Sequence, residues 1–248
     1  MTSKSELNQF TATKSTPDTL PQRVAERRTL ALGGLGWTFE SYDSFLLSLL
    51  LPVLGVVFGI NKTELGLFIS VTAGGQIIGG ILFGFIADKI GRVKTALTCI
   101  AIYSLFSGLL AFTHDQQHFA LLRFCGALGM GGMWTSGAAL IAETWRPERR
   151  ARGGALMQMG LPVGAILSIS LTAIVSSVNG GLEQGAWRYL FMIGALPVFI
   201  MSVVAWFTPE SQVWLARQQA KATSSQPVAK LGKHNLRGLL LAFVFIFF

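Results

Sequence analysis

Six long apolar runs, separated by polar or charged stretches, organise this sequence. They cover residues 30–57, 66–87, 95–113, 119–142, 153–178 and 187–207. Each supplies close to the ~20 apolar residues that a helix needs to cross a bilayer core. The predicted fold class is therefore an all-α membrane protein with a six-helix bundle. Residues 1–29 are polar, rich in Ser and Thr, and lack the apolar core of a cleaved signal peptide. They read as a flexible cytoplasmic tail. Residues 208–235 are polar and charged and read as a cytoplasmic linker. A seventh apolar run begins at Leu236 and stops at Phe248, too short to span. The expectation is an incomplete seventh span, over 236–248, in the front part of a longer protein.

Composition agrees with the pattern. The chain is 51% hydrophobic and only 13% charged, where a soluble domain carries about 25% charge. Its formal charge of +8 could signal nucleic acid in a soluble protein. Topology accounts for it instead. Of the 20 Lys and Arg, 17 fall in the tail, the loops after spans two and four, and the linker after span six. Lys62 and Arg188 lie on the other side, and Arg123 lies within span four. Such a bias places the N-terminus in the cytoplasm, and no aromatic-interleaved basic patch points to nucleic acid. Glycines crowd spans two and four (Gly74, Gly75, Gly79, Gly80; Gly126, Gly129, Gly131, Gly132). Small residues let helix backbones approach closely in lipid, which predicts a packed bundle. Cys99 and Cys125 both sit in apolar segments, with no CxxC spacing, and read as buried small hydrophobes.

Ionisable groups inside spans are expensive and therefore candidates for function. Glu40 and Asp43, three apart in WTFESYDSF, share one helix face. They fall about 15–20 Å along a helix starting near residue 30. Burial disfavours the charged form of a carboxyl there, which suits a group that takes up and releases protons. The alternative is a carboxylate locked in a structural hydrogen bond. Arg123 either snorkels to the outer interface or sits beside these carboxylates and biases their protonation. Gln76, Trp134, Thr135, Ser136 and Gln158 are the polar or amphipathic mid-span residues. They are candidates to line a substrate cavity, or else packing contacts. Pro162 in QMGLPVG predicts a kink or a flexing point in span five. No HExxH, GxSxG or Walker-type loop occurs, and the reading is not an enzyme. His114 and His118 are four apart in a short external loop without a third ligand, which reads as chance rather than a metal site. No cofactor is expected.

The stretch GFIADKIGRVKT then carries a resemblance. Gly84, Asp88, Gly91, Arg92 and Lys94 match the loop signature between spans two and three of the major facilitator superfamily. RFCGALGMGG resembles its span-four Arg-and-glycine pattern, with Ala127 at one usual glycine. Glu143 and Arg150 reproduce its E-x(6)-R spacing. WRYLFMIGALPVF looks like the entrance of its span six. PESQVWL, containing Glu210, is similar to its P-E-S-P-R-W-L, with Val213 where Arg is usual. FESYD resembles the D-G-[FY]-D of the aromatic-acid and sialic-acid symporter branches, with Glu40 for the first Asp and Ser41 for the Gly. The resemblance covers residues 30 to 215.

It implies the N-terminal half of a secondary transporter whose two six-helix halves rock about a central site. The implied activity is proton-coupled symport of a small organic acid or related metabolite. Asp43, with Glu40, would carry the proton and Arg123 would tune it or meet the substrate anion. Asp88 and Arg92 would help latch the two halves, with Glu143, Arg150 and Glu210 in the same network. Each such pair is worth on the order of 1 kcal/mol, enough to bias a balanced equilibrium without locking it. The implied partners are substrate, protons, a bilayer and a C-terminal half, in a plasma or bacterial inner membrane. A sugar or drug carrier, or a truncated membrane protein that transports nothing, are the alternatives.

Overall fold

A computed structural model describes residues 20–178 and 181–223. Among the described residues the regular elements are helices: α1 (Leu20–Phe58), α2 (Lys62–Ile90), α3 (Arg92–Leu110), α4 (Gln116–Thr144), α5 (Pro147–Gln158), α6 (Gly160–Val178), α7 (Trp187–Ile193), α8 (Pro197–Phe207) and α9 (Gln212–Thr223), with a 3-10 turn at Leu182–Gln184. Six stretches are long and apolar enough to cross a membrane: Pro21–Phe58, Lys62–Ile90, Arg92–Leu110, Gln116–Thr144, Pro147–Ser177 and Trp187–Phe207. They coincide with the six apolar runs. All six lie in one unit that reaches to Trp214, and the described residues of a second unit, 215–223, are helical. The linker residues 224–235 and the seventh apolar run lie outside the described residues.

Two stretches are broken, and proline sets each break. A proline lacks an N–H and its ring conflicts with the carbonyl four residues earlier. For Pro162 that residue is Gln158, where α5 ends; for Pro197 it is Ile193, where α7 ends. Pro52, by contrast, is carried inside α1 without a break.

The first helix begins at Leu20 rather than at residue 30. Its opening turns are polar, but they are held by contacts that apolarity does not report. Gln22 Nε2 donates to the Thr144 carbonyl at 2.9 Å, Trp145 Nε1 to the Glu26 carbonyl at 3.2 Å, and Arg28 to the Phe207 carbonyl at 2.9 Å. Glu26 and Thr29 are buried. Similarly, the expected linker opens with α9. Ser211 caps that helix, accepting from Trp214 N at 3.1 Å.

Packing is tightest between α2 and α4. A Cβ on Gly79 would lie 2.0 Å from the Leu128 carbonyl oxygen, and one on Gly131 would lie 1.9 Å from that of Gln76. Only glycine permits this approach, which serves van der Waals contact in lipid. At one end of the bundle the core is aromatic. The Phe119 ring lies 5.0 Å from Phe68, 5.7 Å from Phe191 and 6.4 Å from Trp187, between centroids. Toward the other end Leu32, Ile100, Met130, Met133 and Met201 fill the interior.

Candidate functional site: a buried ion pair and a charged cluster at the helix ends

Four helices meet at Asp43. The helix α1 supplies Asp43 and α4 supplies Arg123, each only 1% exposed. Arg123 NH1 pairs with Asp43 Oδ2. Ser107 of α3 donates to Asp43 Oδ1 at 2.5 Å, and Arg123 Nε donates to Thr72 Oγ1 of α2 at 3.2 Å. A second guanidinium N–H reaches the Asp43 carbonyl at 3.4 Å. Arg123 therefore does not snorkel; it turns inward and is consumed by Asp43. Arginine suits this position because its planar fork serves several acceptors at once. Breaking such a pair by removing one partner leaves a buried charge and costs about 3–5 kcal/mol.

Glu40, one turn away on α1, has a different environment. It is 3% exposed, and its Oε2 is buried without a hydrogen-bond partner. The hydroxyls of Tyr103 and Ser104, on α3, are likewise buried without one. Glu40 also borders a groove of about 280 Å³ lined by Trp37, Ser41, Ser44, Phe45, Ser48 and Leu161. So the two carboxyls, close in sequence, divide: one is fully engaged, the other is not.

The second cluster forms where α2 turns into α3. Gly91 adopts φ +108°, in the region that favours glycine. This turn presents the first N–H groups of α3 to Glu210, which accepts from Arg92 N at 2.8 Å and from Val93 N at 3.1 Å. A Cβ on Gly91 would lie 2.3 Å from Glu210 Oε2. A carboxylate at a helix N-terminus meets both unsatisfied N–H groups and the positive end of the dipole. The Arg92 side chain, 7% exposed, pairs with Asp88 at 2.7 Å and Glu143 at 3.1 Å. Ser211 Oγ donates to Glu143 at 2.5 Å, and Trp214 Nε1 to the Asp88 carbonyl at 3.1 Å.

The profile of the Major Facilitator Superfamily matches residues 33–248. The chain belongs to this superfamily. It is similar to the sialic acid transporter NanX of Escherichia coli, with 30% identity over 77% of this chain and 45% of that protein. It is also similar to the cis,cis-muconate transport protein of Acinetobacter baylyi, with 29% identity over 76% of this chain and 44% of that protein. Its fold matches the inward-open xylose transporter XylE from E. coli at TM-score 0.67 and 23% identity, covering 78% of this chain and 50% of that one. The chain spans about half the length of the curated relatives it matches. Its six apolar helices are the N-terminal half of the major facilitator fold, so it is an integral, multi-pass membrane protein.

Within this half of a major facilitator, the predicted site residues separate. Glu40, Asp43 and Arg123 come together as described. Of the loop residues, Asp88, Gly91, Arg92, Glu143 and Glu210 share one cluster. Lys94 and Arg150 are exposed and stand outside these contacts, and a Cβ on Gly84 would meet open space. The cluster binds α2, α3, α4 and the segment after α8 to one another, inside this one half. The side chain of Asp88 remains 60% exposed.

None of the cavity candidates is among the residues lining the groove beside Glu40. Gln76 is half-buried with Nε2 3.8 Å from Met130 Sδ, and the Trp134 ring lies tilted against Trp37, 6.4 Å between centroids. Thr135 bonds back to the Gly132 carbonyl at 3.0 Å, Ser136 is buried, and Gln158 is exposed at the end of α5. The residues missed are Ser41, Ser44 and Ser48, three and seven positions apart on α1. That spacing marks one helix face and was the available signal. Ser107, Thr72 and Ser211 were missed as well. Before α4, the ring of His118 pairs with Asp115, the N-cap of that helix. The His118 backbone N–H, with that ring, holds the Asp115 carboxylate below the usual range.

Proposed function

We propose that this chain forms the N-terminal half of a proton-coupled carrier for small organic acids, with Glu40 as the proton site. The observation that carries the reading is the division between Asp43, enclosed by Arg123 and Ser107, and Glu40, buried beside a groove with an unpartnered oxygen. Asp43 is committed to its ion pair with Arg123. Glu40 Oε2 is buried without a hydrogen-bond partner, which leaves that oxygen open to a proton. The two curated relatives named above are transporters of sialic acid and of cis,cis-muconate, both carboxylic acids.

Coupling follows from charge. Two carboxylates about 4 Å apart repel by roughly 4 kcal/mol at an effective dielectric of ~20. A deprotonated Glu40 therefore opposes an anionic substrate in the adjacent groove, and a protonated Glu40 admits it. Substrate and proton enter together, and the loaded site reorients as two six-helix halves rock about it. A second half, supplied beyond the six helices here, completes the carrier. The Arg92 cluster braces this half, with Asp88, itself paired to Arg92, at its exposed edge. The cation bias puts the tail and this cluster on the cytoplasmic side of the plasma membrane.

The test uses the protein as expressed from its gene, reconstituted in vesicles with an imposed pH gradient, and a panel of benzoate, cis,cis-muconate, sialic acid and xylose. Gradient-driven accumulation of at least one acid is expected. Asp43→Asn should lose both accumulation and exchange, because the Arg123 charge is left unmatched. Glu40→Gln, a fixed neutral group, should lose accumulation yet retain exchange. Uptake of xylose alone would move the reading to a sugar carrier, and no uptake at all would remove it.

A further inference from the structure

Three polar atoms of α1 and α3 are buried without a hydrogen-bond partner: Glu40 Oε2, the Tyr103 hydroxyl and the Ser104 hydroxyl. Their residues are 3%, 1% and 0% exposed. Buried hydroxyls are ordinarily bonded, and close neighbours obey that rule. Tyr42 of α1 donates to the Leu190 carbonyl at 2.9 Å, and Ser107 of α3 donates to Asp43 at 2.5 Å.

Register brings the three orphaned oxygens together. The helices α1 and α3 begin at the same end of the bundle, α1 bonding there to the Thr144 and Phe207 carbonyls and α3 to Glu143 and Glu210. They therefore run in the same direction, and the Ser107–Asp43 bond fixes their alignment. One turn back from Asp43 on α1 is Glu40. One turn back from Ser107 on α3 are Ser104 and Tyr103, three and four residues earlier and on the same side of the helix. Tyr103 accordingly feels the Glu40 carboxyl more strongly than the Asp43 carboxyl. The other titratable groups near Glu40 are committed. Asp43 pairs with Arg123 of α4. Cys99 of α3, also within reach of the Glu40 charge, packs its Sγ against Gly132 of α4, where a Cβ would lie 2.5 Å away. The helix α6 carries no titratable group.

A pair of hydroxyls suits a neutral carboxyl. A protonated carboxyl gives one hydrogen bond and accepts others, and each hydroxyl can do both. Such a neutral set is far less costly to enclose in an apolar interior than a lone charge. We propose that Tyr103, with Ser104, is the positioning residue for protonated Glu40. In the loaded carrier the Glu40 carboxyl rotates away from the groove toward α3, gives its O–H to one of these hydroxyls and accepts from the other. Glu40 keeps its proton throughout and releases it only when the carboxyl turns back to the groove. The proton is thus held inside this half while the carrier reorients. This rests on Glu40 as the proton site and names what holds the proton there.

Infrared difference spectra between acid and alkaline pH read the carboxyl directly, on the protein as expressed from its gene, in vesicles and with no transported acid present. A protonated-carboxyl C=O band is expected in the parent and should be absent in Glu40→Gln. Tyr103→Phe, which keeps the ring, should move that band to higher wavenumber, because a carbonyl relieved of a donor stiffens. Ser104→Ala, a smaller change in the same turn, should move it the same way. In gradient-driven uptake, Tyr103→Phe should raise the proton concentration for half-maximal rate about three- to tenfold, the worth of one hydrogen bond. That rise should well exceed any change in the half-saturating concentration of the acid. A Glu40 band that neither variant moves would overturn the assignment while leaving Glu40 as the proton site. Absence of any Glu40 band would remove both. Equal rises for proton and acid would make Tyr103 a packing residue and likewise overturn it.

Discussion

At the residue scale, the account rests on which charges are matched. Arg123→Ala leaves Asp43 buried and unpaired, and a loss of about 3–5 kcal/mol in stability is expected. Replacing both partners with apolar residues, as in Asp43→Leu/Arg123→Met, should cost markedly less. Thermal melts of the two variants in detergent measure the difference; equal losses would mean that the pair is not a coupled unit. Gly91 is a second test. Alanine there meets a backbone strain of about 1–3 kcal/mol and a clash with Glu210. The variant Gly91→Ala should melt below the parent, and adding Glu210→Ala should recover part of the loss by removing the clash. The intramembrane carboxyls and Arg123 were legible in the sequence because charge in an apolar span stands out. Ser107, Thr72 and the Ser41–Ser44–Ser48 face were harder. A hydroxyl is common in apolar helices, and only packing decides whether it meets a carboxylate, a cavity or its own backbone.

At the scale of elements, hydropathy located all six spans but not their internal breaks or their ends. The breaks follow from Pro162 and Pro197 acting on Gln158 and Ile193, a local rule that an apolar count ignores. The early start of α1 follows from side-chain-to-carbonyl bonds with α4 and α8, which are tertiary and leave no local trace. The crossing of α2 and α4 was foreshadowed by the glycines, but which of them touch was not. Gly79→Val places a branched side chain within 2.0 Å of a carbonyl oxygen. Overpacking of this kind costs about 1–3 kcal/mol or more. Loss of a monodisperse peak on size-exclusion chromatography is the expected outcome. The same change at Gly84, where a Cβ meets open space, should leave the elution unchanged.

At the scale of the whole molecule, the six helices form half of the superfamily's fold. The loop signature proved legible as a family mark, and in three dimensions most of its charged residues join one cluster. Arg92 pairs with both Asp88 and Glu143, and Glu210 accepts from the Arg92 and Val93 N–H groups, all within this half. Orientation is separately testable. A cysteine replacing Glu148, in the first turn of α5, should be labelled by a membrane-impermeant reagent only from the cytoplasmic side. One replacing Gln117, in the first turn of α4 at the opposite end, should be labelled only from outside. The reverse result would invert the topology.

The most direct measurement of the central claim is proton movement itself. De-energised vesicles containing the protein are placed in a lightly buffered medium, and a transported acid is added as its salt. The parent protein should alkalinise the medium as protons enter with the acid. Glu40→Gln should exchange labelled acid and leave the pH still. Alkalinisation by Glu40→Gln equal to that of the parent would contradict the account.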